Sequence, residues 1–339
     1  MEPSRPSPRK RLLQNLAISV ATFLLCLAVA EGVLRLRGYG NLEIYQPDPV
    51  LYWKLKPNQN CYTKVGHKPL HVNAQGIRGP DFSPRKPPGT FRILSLGDSR
   101  TFGWGLSDEE TYSHQLETML RQHAGGSNKV EVLNAGINAW SYPQLDIYFK
   151  NIGLTYSPDV VLIGEANLWT EFSEKNDPSF VKKFLWRVRL KNFLRHFAIY
   201  HYVVEVKLRN FYERHRSKFI PVDPARDPLF KEQQQKEPEQ LFQAALEDLC
   251  RVAQSNHVKP ILLYLPTADD LTATNPSPIS KIKKNVSDAL GVPLVDLTSE
   301  LRDAGKTLYL EGDSVHLDSR GNKLIAKQLF QTVTNLSAP

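Results

Sequence analysis

The sequence has little sulfur chemistry, since its 339 residues include only three cysteines and two methionines. Cys26, Cys61 and Cys250 form no Cys-x-x-Cys pair and no Cys/His cluster with metal-site spacing, so we expect neither a metal nor another cofactor. Cys61 and Cys250 would be able to pair outside the cytosol. Two unrelated thiols are the simpler interpretation, because spacing alone does not establish the geometry of a disulfide.

Most of the chain also lacks net charge, although the whole protein carries +8. Residues 175–218 contain 12 Lys/Arg and 3 Asp/Glu, a net charge of +9. The rest of the chain contains 31 Lys/Arg and 32 Asp/Glu, a net charge of −1. Apolar residues recur there at helical spacing between the basic ones, which predicts a helical basic insertion over 172–228. The insertion either packs on the domain, covers an active site, or lies against anionic headgroups or an acidic glycan. We expect no nucleic-acid partner.

Charge is absent altogether from residues 12–30. A helix of 19 residues is about 28 Å long, close to the hydrocarbon thickness of a bilayer. Four basic residues precede it within 1–11, so the positive-inside rule predicts a cytoplasmic tail over 1–11 and a single transmembrane anchor over 12–36. The remainder would then be periplasmic or extracellular. A signal peptide cleaved after Ala30, followed by secretion, is the alternative.

Residues 37–89 are rich in Pro, Tyr and Asn and contain turn signals. They predict a membrane-proximal stalk with a short hairpin. The main domain is predicted over 90–335.

The most informative stretch of that domain is a buried strand followed by Gly97-Asp98-Ser99. Residues 91–96 are an apolar run bounded by Pro87-Pro88-Gly89 and by Gly97. A turn at the carboxyl end of a strand presents its side chains where ligands of open α/β sheets bind. Ser99 is therefore the candidate nucleophile.

Two further predicted strands also end in polar motifs. Residues 130–133 lead into Asn134-Ala-Gly-Ile-Asn-Ala139, and residues 159–163 lead into Glu165-Ala-Asn167. Strands that alternate with helices and end in polar motifs predict a doubly wound, mainly parallel sheet with one active edge.

The base for such a nucleophile stands near the end of the chain, in Asp313-Ser-Val-His316. An Asp three residues before a His can hold one ring nitrogen and leave the other for Ser99, as in a catalytic triad.

These motifs together resemble the SGNH/GDSL hydrolase superfamily, in its membrane-anchored bacterial type. Gly97-Asp98-Ser99 is similar to its first motif and Asp313-x-x-His316 to its last. The resemblance covers about residues 91–330 and implies a three-layer α/β/α, flavodoxin-like fold. It also implies an oxyanion hole made by the amides of Ser99 and Ala139 and the side chain of Asn167.

The sequence departs from the superfamily pattern at two motifs. Ala139 replaces the usual glycine, and Glu165 and Leu168 replace the Gly and Asp of the third motif. An alanine still supplies a backbone N–H, and Asn167 is present, so the parts of an active enzyme remain.

The resemblance implies a serine esterase or acyltransferase that acts on acyl esters of carbohydrates or lipids. The anchor and the basic segment favour O-acetyl esters of a cell-envelope glycan as substrate. A lipase or lysophospholipase is one alternative. A decayed hydrolase fold that serves in binding or assembly is another, suggested by the changes at Glu165 and Leu168.

Overall fold

The structure, a computed structural model, describes residues 8–125, 129–166, 178–209, 211 and 228–337, with the backbone alone for 178–185, 228–238 and 306. The strands are β1 (Tyr45–Asp48), β2 (Tyr52–Leu55), β3 (Gln59–Tyr62), β4 (Pro69–Val72), β5 (Phe91–Gly97), β6 (Val130–Gly136), β7 (Val160–Ile163), β8 (Lys259–Tyr264) and β9 (Leu294–Asp296). The helices are α1 (Pro8–Leu36), α2 (Ser99–Phe102), α3 (Tyr112–His123), α4 (Tyr142–Asn151), α5 (Pro178–Leu194), α6 (Ala198–Tyr200), a π-helix (His201–Leu208), α7 (Pro228–Ser255), α8 (Pro278–Leu290), α9 (Thr298–Ala304) and α10 (Ser319–Ser337).

The central sheet has five parallel strands in the order β6-β5-β7-β8-β9. The first strand, β5, therefore lies between β6 and β7, and the chain changes its direction of winding there. Ligands of doubly wound sheets bind at such a switch point, beyond the carboxyl ends of the strands. The predicted fold, a mainly parallel sheet inside a three-layer α/β/α arrangement, is confirmed.

Alternate residues of each strand point to opposite faces of this sheet, as the period of two requires. Leu94 and Val161 join a core with α4, α7 and α8, whereas Ile93 and Leu162 join a second core with α3, α9 and α10. Each helix packs one apolar stripe on the sheet, so both faces are covered and the strands read as continuous apolar runs.

The segment over 37–89 forms two antiparallel pairs, β1 with β2 and β3 with β4. Its side chains at Trp53, Leu55, Val72 and Ile77 are buried in the same core as α4 and α7. This packing differs from the separate stalk that its composition suggests. The apolar positions of these short strands alternate and need a partner face, which the domain supplies. The domain boundaries themselves stay predictions.

Helix α3 is preceded by a separate helical turn. Ser107 and Glu110 form a capping box at a short 3₁₀ turn (Asp108–Glu110), and α3 begins after it with Thr111 as its N-cap. The three cysteines are free thiols, and Cys61 and Cys250 are buried.

Helix α1 is apolar and long enough to cross a bilayer, and none of its residues is buried in the protein. Its length and composition fit either a membrane anchor or a signal sequence at the N-terminus. The insertion predicted over 172–228 is helical where the structure describes it, in α5, α6 and the π-helix. A short non-helical turn at 195–197 separates α5 from α6, and residues 172–177, 210 and 212–227 lie outside the described parts of the chain.

Candidate active site

Ser99 is the first residue of α2, directly beyond the end of β5. The turn that places it is tight, because a Cβ on Gly97 would lie 2.1 Å from Thr101 Oγ1. Only glycine permits that approach. The amide of Asp98 donates to the carbonyl oxygen of Glu165 at 2.7 Å, which ties the turn to the end of the neighbouring strand β7.

A chain of hydrogen bonds joins Ser99, His316 and Asp313. Ser99 Oγ lies 2.8 Å from His316 Nε2, and His316 Nδ1 lies 2.7 Å from Asp313 Oδ2. An ionised carboxylate only accepts, so Nδ1 carries the proton and Nε2 is left to accept from the serine hydroxyl. The loop thus holds the imidazole in the tautomer that a general base requires.

The carboxyl of Asp313 is kept ionised by its surroundings. Burial alone would raise the pKa of Asp313, but the hydrogen bond and charge of His316 and the amides of Val315 and His316 lower it below its usual value. Those amides donate to Asp313 Oδ1 at 2.8 and 3.1 Å. One oxygen therefore fixes the loop, while the other orients the imidazole.

The ring of Trp104 lies against the His316 imidazole, a contact that no sequence motif indicated. Its ring stacks on His316 with 5.3 Å between centroids and 19° between planes. Lys64 Nζ and Arg209 Cζ lie 4.3 and 5.0 Å from the Trp104 ring centroid. Burial and the nearby Arg195 lower the pKa of Lys64 to about 8. Two cations at one aromatic ring make this side of the site suited to an anionic or electron-rich ligand.

Arg78 holds the loop that carries Trp104. Its guanidinium is buried and donates to the carbonyl oxygens of Phe102, Gly103 and Leu106 at 2.6–2.8 Å, and its Nε pairs with Asp108 Oδ1 at 2.7 Å. Arg78 comes from the segment before the main domain. That segment consequently helps to shape the site, a role that its composition did not indicate.

Four buried charged side chains lie behind the nucleophile turn. Lys283 Nζ is 2.9 Å from Glu165 Oε1, and neither side chain is exposed to solvent. Arg100 pairs with Asp98 at 2.9 Å and approaches Glu165 Oε2 at 3.9 Å. Burial would raise the pKa of Asp98, but Arg100 lowers it overall. Charges this deep persist only when paired and hydrogen-bonded.

The predicted oxyanion donors are only partly described. Ala139 has φ = 66°, in the left-handed region that favours glycine, and its amide has no hydrogen-bond partner within the described residues. The loop that carries it is tied to the nucleophile turn, since the Ile137 amide donates to the Gly97 carbonyl at 3.0 Å. Ser99 begins a helix, where an N–H has no intrahelical acceptor. Asn167 lies outside the described residues, and the oxyanion role of all three stays a prediction.

Within the parts of the chain that the structure describes, no three His, Cys, Asp or Glu side chains form a group that could hold a metal ion. Sequence reasoning missed Trp104, Lys64, Arg78 and Lys283. The only available signal was the placement of Trp104 between Gly103 and Gly105, just after the nucleophile. Both glycines have positive φ, so the loop turns sharply on either side of the indole.

Comparison with solved structures finds esterases, lipases and GDSL-family hydrolases. A lipolytic protein of the G-D-S-L family from Desulfitobacterium hafniense is 16% identical over 71% of this chain and 99% of that one, with a TM-score of 0.42. A lipase/acylhydrolase from Enterococcus faecalis is 16% identical over 73% of this chain and 96% of its own, with a TM-score of 0.44. An acetyl xylan esterase, AlAXEase, is 16% identical over 72% of this chain and 100% of its own, with a TM-score of 0.43.

The chain is similar to these proteins. At identities this low, the role of a residue in one of them is not assigned to any residue of this chain. No family model matches the sequence. No curated protein matches it either.

Proposed function

We propose that the chain is a serine esterase or acyltransferase of the SGNH/GDSL type. The observation that supports this most directly is the continuous Ser99–His316–Asp313 hydrogen-bonded chain, because a serine needs an adjacent, oriented base to become nucleophilic. Four buried charges and Arg78 hold the surrounding turn, which favours a preorganised site over a decayed one.

In the proposed reaction, Ser99 Oγ attacks the carbonyl carbon of an ester while His316 Nε2 takes the hydroxyl proton. Asp313 holds the imidazole and stabilises its protonated form. The amides of Ser99 and Ala139 and the side chain of Asn167 stabilise the oxyanion. His316 then protonates the leaving alcohol. Water completes hydrolysis of the acyl-enzyme, or an acceptor hydroxyl completes transfer, and neither route needs a cofactor.

The substrate proposed first is an acyl ester, such as an O-acetyl group, on a glycan of the cell envelope. The Trp104 ring offers a stacking surface for a sugar, and the two cations beside it suit the anionic groups of an acidic one. A lipid ester is the second candidate. It is favoured by the exposed apolar side chains near the π-helix, such as Val203 and Leu208.

The proposed location is the membrane, with α1 as a single uncleaved anchor and the catalytic domain periplasmic or extracellular. Basic residues before the apolar run support this orientation. Secretion after cleavage of the first 30 residues is the alternative, and the N-terminal sequence of the mature protein distinguishes the two.

A fluorophosphonate probe tests the chemistry on the full chain in detergent. We expect the probe to label the native protein and the Ser255→Ala control, whose serine is exposed on α7, and not Ser99→Ala. Failure to label any of the three would favour the decayed, non-catalytic alternative. Persistent labelling of Ser99→Ala would place the nucleophile elsewhere. Acetate release from acetylated glycans, compared with release from a short aryl ester, then tests the substrate.

A further inference from the structure

The end of α1 is joined to the segment that precedes the π-helix. The Glu31 carboxylate accepts from the amides of Ala198 and Ile199 at 2.9 and 3.0 Å, and Arg35 donates to the His196 carbonyl at 2.7 Å. Glu31 thus caps the start of α6. The position of this segment relative to α1 is fixed by these contacts.

An apolar groove lies between α1 and the π-helix. Leu25, Val29 and Val33 line it from α1, and Ile199, Tyr202 and Val203 line it from the other side. The uncharged run of α1 ends at residue 30, and at 1.5 Å per residue Leu25 lies about 8 Å inside that end. If α1 crosses the membrane, the side chains that face it across the groove, Ile199 and Val203, therefore border the outer end of the hydrocarbon region. His201 and Tyr202 also contact Gly40 and Tyr39, which follow the end of α1.

The exposed apolar surface of the described protein is concentrated in the same place. Outside α1, ten large apolar side chains are exposed, and eight of them fall within residues 186–211. They are Trp186, Leu190, Phe193, Phe197, Val203, Val204, Leu208 and Phe211. Trp186, Leu190 and Phe193 recur at intervals of four and three residues, which places them on one face of α5. Phe197 follows that helix, and its ring contacts the Phe193 ring with 5.3 Å between centroids.

The opposite face of α5 and Arg195, the residue that follows it, contact the domain. Asn192 Oδ1 accepts from the Tyr45 amide at 3.2 Å, and Arg195 donates to the Glu43 carbonyl at 3.0 Å. The apolar stripe is therefore turned away from the protein. Basic side chains accompany it, at Arg187, Arg189, Lys191, Lys207 and Arg209. An apolar stripe bordered by Lys and Arg is the composition of a helix lying in the interface of an anionic bilayer.

The same segment ends at the catalytic residues. Arg209 directly follows the π-helix and lies 5.0 Å from the Trp104 ring, which stacks on His316. One short helix therefore connects the groove against α1 with the side of the site that carries the catalytic imidazole.

We propose that residues 186–208, here called the bilayer-facing surface, are seated in the outer leaflet beside α1 and hold the catalytic opening at the membrane. The partner is a phospholipid bilayer with anionic headgroups, and the substrate is an ester carried by a molecule embedded in it. This inference rests on the proposed anchor and esterase activity. A bilayer-held substrate reaches Trp104 without leaving the interface.

Depth-dependent quenching tests the seating. The full chain with Cys26→Ser is placed in phosphatidylcholine/phosphatidylglycerol nanodiscs that contain nitroxide-labelled lipid, and an NBD fluorophore is attached at Val203→Cys or Leu208→Cys. Buried Cys61 and Cys250 stay unlabelled. The matched controls are Val29→Cys on α1 and Ser255→Cys, which ends α7 just before the amino end of β8, opposite the carboxyl ends of the strands.

We expect quenching at Val203 and Leu208 comparable with that at Val29, and little at Ser255. Quenching at Val29 but not at Val203 and Leu208 would overturn the seating and leave the anchor intact. No quenching at Val29 would instead overturn the anchor itself. Loss of Ser99-dependent probe labelling in all variants would count against the esterase and not against the seating.

A second measurement concerns substrate delivery. Turnover of a long-chain ester held in the nanodisc is compared with turnover of a soluble aryl ester. We expect the ratio of the two rates to fall about tenfold in Val203→Glu, because a charge in the acyl region is unfavourable, and to stay constant in Ser255→Glu. An unchanged ratio in both Val203→Glu and Leu208→Glu, or an equal loss of both activities in these variants, would overturn the proposal.

Discussion

Glu165 and Lys283 form an ion pair 2.9 Å long from which solvent is fully excluded. Glu165 Oε1 also accepts from the Leu265 amide at 2.8 Å, and its backbone oxygen holds the Asp98 amide beside the nucleophile. Burial lowers the pKa of Lys283 by opposing its charged form, and Glu165 acts in the other direction. A residue that looked like a deviation from a motif therefore supports the turn that carries Ser99.

The first prediction concerns this pair. The structure predicts that Glu165→Gln or Lys283→Met lowers the free energy of unfolding by about 3–5 kcal/mol, because each leaves a buried group unpaired. The double variant should lose less unfolding free energy than the two single variants lose together.

Urea unfolding of the singles and the double checks this. Lys284→Met is the matched control, since Lys284 pairs with Asp288 on the surface, where an ion pair contributes less than about 1 kcal/mol. Equal costs for Lys283→Met and Lys284→Met would contradict the prediction.

The second prediction concerns pH. The folded state lowers the pKa of Asp313, so its stabilising contribution is complete above the ordinary Asp pKa of about 3.9 and is lost as pH falls through the lowered value. Unfolding of native protein and Asp313→Asn should differ most at neutral pH, and the gap should shrink below about pH 4. If the difference in unfolding free energy between the native protein and Asp313→Asn instead grew as pH fell, the pKa of Asp313 would be raised by folding and the prediction would be wrong.

The third prediction concerns the backbone of Ala139. A left-handed conformation costs an L-residue roughly 1–2 kcal/mol, which glycine avoids. Ala139→Gly should therefore raise the free energy of unfolding by about 1 kcal/mol and keep probe labelling at Ser99. Ala124→Gly, at φ = −81° after α3, should lower it by about 0.5–1 kcal/mol. Destabilisation by Ala139→Gly would contradict the strain argument.

The fourth prediction concerns Asn167. If its amide donates to the oxyanion, Asn167→Ala should reduce kcat on the order of 100- to 1000-fold with little change in KM, because the bond strengthens as charge develops. Steady-state kinetics with a short aryl ester measure this. An unchanged kcat would remove Asn167 from the oxyanion hole and leave the two backbone amides.

Sequence reasoning could predict the sheet and the nucleophile turn because both are local. Strand β5 is an apolar run ended by a glycine, and its neighbours repeat that pattern. Lys283 and Lys64 gave no comparable signal, because a lysine on a helix or in a loop looks solvated until its distant partner is known. The segment over 37–89 has the composition of a stalk for the same reason, since nothing local shows the core residues of β5, β6, α4 and α7 that it joins.

Ser99 and His316 are 217 positions apart along the chain, and this separation bears on when the site is completed. Helix α1 and Ser99 are synthesised before His316, so the serine has no base while the residues between them are translated. If the chain crosses the membrane as it is made, it becomes able to cleave an ester only after His316 has crossed. The order of residues along the chain would then confine the chemistry to the far side of the membrane without any inhibitor.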